Sequence, residues 1–193
     1  MHRVFRVSLL TCFVGLLASA GQVCRAADEY SYDPVHSSIS FKARHADVSW
    51  IHGRFNEAEG KFSIDKADPT KSTFELKIKA DSVDTGNKAR DEHLRQPDYF
   101  DTKQFPTIEF KSTSTKAIDG GYEVTGDFKM HGVTKKVTLV LKGGDKVVEF
   151  NKKKVIGFST RVSVKRSDFG FDKSAIGVIG DEALIDIDCE GVR

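Results

Sequence analysis

A strict alternation of apolar and polar side chains recurs along most of this chain, and it confines the fold to sheets with one buried face. The clearest instance sets Phe74, Leu76, Ile78 and Ala80 against Glu75, Lys77, Lys79 and Asp81. A period of two is the signature of a strand that turns one face to a core and the other to water. The same pattern puts Ile39, Phe41, Ala43 and His45 on one face, and Ser38, Ser40, Lys42 and Arg44 on the other. It returns at Ile108 and Phe110, at Tyr122, Val124, Phe128 and Met130, and at Val137, Leu139 and Leu141. It closes with Ile156, Phe158, Thr160, Val162 and Val164, then Ala183, Ile185, Ile187 and Cys189. Val48 to Phe55 is apolar but interrupted at Gly53, which reads as a bend or bulge.

Turn signals separate these runs. Asp68-Pro69-Thr70, Asp119-Gly120-Gly121 and His131-Gly132-Val133-Thr134 read as turns, and Gly143-Gly144-Asp145 reads as the end of a strand. About eight alternating segments, mostly spaced as hairpins and without a long helix, predict an all-β fold. A barrel and a sandwich both satisfy one buried face per strand. The aromatic content favours an eight-stranded antiparallel β-barrel, because twelve of the fourteen Phe lie beyond residue 20 and many fall on inward parity. A solid core favours Leu, Ile and Val, whereas aromatic walls suit an apolar pocket. A closed eight-stranded barrel holds side chains or one small ligand.

The stretch Asp84 to Pro106 (DTGNKARDEHLRQPDYFDTKQFP) interrupts the alternation for 23 residues. Connections of that length in compact domains are lids, binding loops or linkers. This one carries Leu94, Tyr99, Phe100 and Phe105, and disordered segments lack such aromatics. It is expected to close one mouth of the barrel. A second loop, residues 167–180, is rich in Gly and carries Phe169, Phe171, Ile176 and Ile179.

The N-terminus reads as an export signal over residues 1–20. Arg3 and Arg6 precede an apolar run from Val7 to Leu17, and Ala18-Ser19-Ala20 fits a small-x-small cleavage site, with a cut after Ala26 or Ala27 as the alternative. The run is too short to span a bilayer, which takes about 20 residues. Residues 28–193 then form the domain. Losing Arg3 and Arg6 leaves 28 basic against 28 acidic residues, scattered along exposed strand positions. That balance argues against nucleic acid as a partner, since a nucleic-acid binder gathers basic charge on one face. Export implies an oxidising compartment, the periplasm first and the exterior second. A Cys24–Cys189 bridge is conceivable in a closed barrel. Cys189 shares parity with Ala183, Ile185 and Ile187, however, and reads as a small apolar residue facing inward. The histidines beyond the signal form no HxH or HxxxH pair, so spacing supports no metal site, and no motif implies a cofactor. A nucleophile elbow (GxSxG) is absent.

Four runs carry a resemblance: DPVHSSISFKARH, the loop SVDTGNKARDEHL with DYFD and FPTIEFKST after it, the turn MHGVTKKV, and GFSTRVSVKRSDFG. Together they resemble the YceI family of polyisoprenoid-binding proteins over Tyr30 to Val192. The resemblance implies a lipocalin-like periplasmic barrel that encloses a long apolar chain, and a homodimer for some members. Trp50-Ile51-His52-Gly53 and Cys189 depart from the pattern without breaking the alternation.

Ligand contacts are expected from the inward wall of Phe41, Phe74, Leu76, Ile78, Phe110, Phe128, Leu139 and Phe158. Arg90, His93, Phe100 and Phe169 are expected at the gate. His45 shares the parity of Phe41, although a lone His on an apolar face is more often a core residue with one partner. The cluster Arg90, Asp91 and His93 has two readings: hydrogen bonds to a ligand's polar head, or struts that pin the loop and cap a helical turn begun at Asp84 or Thr85. The functional expectation is a carrier of a polyisoprenoid or similar long-chain lipid, including an isoprenoid quinone. The alternatives are an enzyme using His93, Asp91 and Arg90 on a lipid-like substrate, and a structural or stress-protective envelope protein.

Overall fold

Residues 27–171 and 178–193 are described in the computed structural model. The expected export signal, Cys24 and Ile176 lie outside them. The strands are β1 (Asp28–Tyr32), β2 (Ser38–His45), β3 (Ser49–Phe55), β4 (Ala58–Ile64), β5 (Thr73–Lys79), β6 (Val83–Asp84), β7 (Thr107–Ile118), β8 (Gly121–Met130), β9 (Val133–Phe150), β10 (Lys153–Lys165) and β11 (Ile179–Val192). Among the described residues there is one α-helix, α1 (Lys88–Leu94).

These strands make the closed eight-stranded antiparallel barrel that the alternation and the aromatic inward set together predict. Three of the eight staves are bent and count as two strands each: β1 with β2, β3 with β4, and β5 with β6. Each stave pairs with its neighbours in sequence, from β4 with β5 and β5 with β7 round to β10 with β11. Closure falls to β11. Its first half pairs with β2 from Ala183↔Ala43 to Asp188↔Ser38, and its end pairs with β1 at Tyr32↔Gly191 and Ser31↔Val192. The interruption between β1 and β2 is stitched to β11 as well. Asp33 N–H donates to the Glu190 carbonyl at 2.8 Å, and Glu190 N–H donates to Ser37 Oγ at 3.0 Å.

Turn chemistry explains the hairpins. Met130 pairs with Val133 across His131 (φ 50°) and Gly132 (φ 74°), and Phe150 pairs with Lys153 across Asn151 (φ 50°) and Lys152 (φ 62°). Two successive positive φ angles are what a right-twisted two-residue hairpin requires.

Two expectations are corrected. Strand β9 does not end at Gly143-Gly144-Asp145. It continues to Phe150, and the glycines, at φ 99° and 82°, form a bulge opposite Gly157. The bulge is where the Phe158 ring lies, since a Cβ on Gly144 would sit 2.3 Å from it. Gly53 makes no bend or bulge either. The β2–β3 register runs unbroken from Ile39↔Phe55 to His45↔Ser49, and a Cβ on Gly53 would lie 2.3 Å from Phe41 Cζ. The glycine clears space for an aromatic ring laid across it.

The interior is packed at both ends. At one end Tyr30, Phe62, Phe74, Tyr122 and Phe158 form a plug with Ile64 and Ile156, and the Phe74 and Phe158 rings meet edge to face at 5.4 Å. At the other end Ile39, Ile78, Ile108, Met130, Val164 and Phe169 form a second layer beneath the lid. Each buried aromatic or branched side chain contributes about 1.5–3 kcal/mol.

Gly53→Val forces the Phe41 ring out of place and should lower the unfolding free energy by about 1–3 kcal/mol. Gly157→Ala, whose Cβ would stand 3.9 Å from its nearest neighbour, should change it by less than about 0.5 kcal/mol. Urea unfolding of both variants checks this, and equal losses would contradict it.

Candidate functional site

Between the two packed layers lies a cavity of about 560 Å³. Its wall takes Phe62, Phe74, Phe110 and Phe158 from one layer and Ile39, Phe55, Ile78, Met130 and Phe171 from the other. Of the residues expected to touch a ligand, Phe41, His45, Phe74, Leu76, Ile78, Arg90, His93, Phe100, Phe110, Phe128, Leu139 and Phe158 all border it. Phe169 does not. It is buried in the layer beneath, with its ring 5.4 Å from that of Phe128 and its carbonyl 3.1 Å from His131 Nδ1. Residues 166–169 form a 3-10 turn that turns Phe169 down into this layer and leaves Phe171, two residues on, at the wall. Composition flagged the loop, but the turn that selects between its two Phe is a tertiary outcome. Tyr99 of the lid and Arg166, whose run at the end of a long strand was open to meeting the lid at this mouth, also reach the wall, and so does Phe55, which was not singled out. Phe55 follows Ile51 and Gly53 in parity, so its alternation was the available signal.

The lid is built from its own sequence. The Asn87 side chain accepts the Arg90 N–H at 3.0 Å, so the helix cap is Asn87 rather than Asp84 or Thr85. Asp91 is buried and accepts both the Thr85 N–H at 2.8 Å and the Thr85 hydroxyl at 2.5 Å. Arg90 Nε donates to Thr85 Oγ1 at 2.7 Å and its Nη2 to the Thr85 carbonyl at 2.8 Å. Arg95 donates to the carbonyls of Asp81 and Val83. His93 Nε2 lies 2.7 Å from Asp98 Oδ2, and its ring meets Tyr99 edge to face at 4.8 Å. The charged cluster thus ties the lid down through bonds among its own members and to the strand before it.

Aromatic contacts then seat the lid on the mouth. Phe100 sits 5.5 Å from Phe55 and 5.4 Å from Phe171. Phe171 lies 4.9 Å from His131, which is 4.8 Å from Phe105 at the far end of the lid. Arg166 closes the other side. It is buried and donates to the carbonyls of Gly180 at 3.0 Å and Ile179 at 2.8 Å, while Ser167 binds both carboxylate oxygens of Asp181. This explains the RSDF run as a clamp on the start of β11.

The cavity offers little chemistry. Cys189 borders it, and burial, helped by the Asp188 charge, pushes its thiol up to about 12. A thiol that stays protonated is a poor nucleophile. The Thr160 hydroxyl is buried with no hydrogen-bond partner among the described residues. One group of potential metal ligands, Asp33, His36 and Glu190, lies on the outside of the barrel. Its His36–Asp33 contact of 2.9 Å belongs to the turn between β1 and β2.

Asp91→Ala leaves the Thr85 amide unpaired, and a lost buried partner costs about 1–3 kcal/mol. Amide exchange should quicken across residues 85–95 and stay unchanged along the β10–β11 ladder, and a uniform change would contradict the lid's separate anchoring. In a variant carrying Cys12→Ser and Cys24→Ser, Cys189 should resist iodoacetamide at pH 8 in the native state and react on unfolding. Rapid native alkylation would contradict a raised thiol.

The YceI-like domain model matches residues 30–191. The protein YceI of Escherichia coli O17:K52:H18 is 33% identical over 181 residues, covering 94% of each chain. In fold, the chain is similar to BcnA of Burkholderia cenocepacia, with a TM-score of 0.73, 21% identity, and coverage of 82% of this chain and 98% of that one. It is also similar to a polyisoprenoid binding domain from Saccharophagus degradans, with a TM-score of 0.63, 19% identity, and coverage of 86% and 98%. By the match along its barrel and the extent of that likeness, this chain belongs to the YceI family.

Proposed function

We propose that the protein binds a polyisoprenoid or similar long-chain amphiphilic lipid in the barrel and carries or sequesters it in the periplasm. The observation that carries this reading is the cavity: about 560 Å³ of unfilled space, walled by Phe and aliphatic side chains and covered by an aromatic-seated lid. Membership of the YceI family and the likeness to a polyisoprenoid binding domain support it. The export signal read in residues 1–20 supports the periplasm. Binding is favoured over catalysis, because the wall is chiefly Phe and aliphatic side chains and Arg90 and Asp91 are both engaged with Thr85. An isoprenoid quinone fits the same reading, with its ring at the mouth beside Arg90 and His93.

The cavity's volume bounds the length of chain that fits, and any longer chain extends through the mouth. Each buried methylene adds about 0.8 kcal/mol. Dissociation constants for a series of isoprenoid alcohols of increasing length should therefore tighten at least tenfold per added isoprene unit while the cavity fills, and level off once it is full. No dependence on length, or no binding at any length, would overturn the reading.

A further inference from the structure

The rim of the barrel carries a surface that the cavity does not use. Val48 at the β2–β3 turn is 80% exposed, Val178 before β11 is 55% exposed and Trp50 is 38% exposed. They are neighbours. The Ala46 N–H donates to the Val178 carbonyl at 2.7 Å, Val48 N–H donates to the His45 carbonyl at 3.0 Å, and Trp50 pairs with Arg44 across the hairpin. Water-exposed apolar side chains gathered at one loop tip mark an interaction site rather than chance exposure.

Charge identifies the partner. At the tip the chain carries Lys42 and Arg44 against Asp47, and two acids of β11 alongside β2 are taken up by β10, Asp186 by Arg161 and Glu182 by Ser163. Lys42 Nζ stands 5.0 Å and the Arg44 guanidinium 5.1 Å from the centre of the Trp50 ring. An indole flanked by cations, with aliphatic side chains projecting beside it, matches the boundary of an anionic bilayer. There Trp settles at headgroup depth, and Lys and Arg meet lipid phosphates. The patch is continuous with the mouth, because Val178, His45 and Ile51 also border the cavity.

We infer that the β2–β3 tip docks the barrel mouth onto an anionic phospholipid surface, where lipid is loaded or released. The inference rests on the carrier reading and adds to it the surface from which cargo comes. Contact is shallow, as for proteins that lie in the interface without crossing it. Anionic headgroups raise affinity, and salt lowers it by screening.

Trp50 is the only tryptophan in the chain and reports on the contact directly. Vesicles of phosphatidylcholine with 30% phosphatidylglycerol are titrated into lipid-free protein while Trp50 emission is followed. The expected result is a blue shift, weakened at least fivefold by 0.5 M salt or by pure phosphatidylcholine, and quenched by brominated lipid. Val48→Asp and Lys42→Glu should each weaken vesicle binding at least fivefold. Both should leave uptake of geranylgeraniol delivered from ethanol, without vesicles, unchanged. No blue shift with any vesicle, or a shift that grows with protein concentration alone, overturns docking, and the second result would make the patch a contact between copies. If docking holds but ethanol-delivered uptake fails in the parent protein, the carrier reading has failed instead.

Discussion

The molecule depends on β11 being hydrogen-bonded to two segments at once. By pairing with β2 along its first half and β1 at its end, it turns an open meander into a ring of eight staves. A ring of that size encloses a cross-section just wide enough for side chains to fill. Here the filling stops short. The Phe62, Phe74, Tyr122 and Phe158 rings plug one end, and the layer with Ile39, Met130 and Phe169 closes the other. Large planar rings are laid against glycines, Phe41 over Gly53 on the wall and Phe158 over Gly144 at the plug. The cavity follows from that geometry.

The lid follows a different logic, in which polar residues hold position and aromatic residues make the seal. Thr85, Arg90 and Asp91 bond to one another at the base, and Arg95 grips the backbone of Asp81 and Val83. Phe100, Phe171, His131 and Phe105 then form a run of ring contacts joining the lid, the loop after β10 and the β8–β9 turn. Ring contacts of this kind are individually about 0.5–1.5 kcal/mol. A seal made of several such contacts, and not of buried ion pairs, can open around a ligand without stranding a charge.

Much of this was legible in the sequence because one physical rule governs most of the chain. Alternation fixed the inward set, so Phe74, Leu76, Ile78, Phe110, Phe128, Leu139 and Phe158 lie on the wall as their parity requires. His131-Gly132 specified its own turn. What escaped depended on partners distant in sequence. Gly53 and Gly143–Gly144 look like interruptions until Phe41 and Phe158 are placed across them. Phe169 and Phe171 share a loop and a composition, and only the 3-10 turn at residues 166–169 decides which ring borders the cavity. The cap at Asn87 lost to Asp84 and Thr85 in a local reading, because Thr85 is claimed by Asp91.

The central claim is that the space inside the barrel is a site for one long apolar chain. The measurement that tests it most directly is mass spectrometry of lipid extracted from protein purified from its native compartment without detergent. The account predicts one long-chain lipid species near one per barrel, with its apolar chain protected inside. A barrel that arrives empty and also refuses added isoprenoids would contradict it.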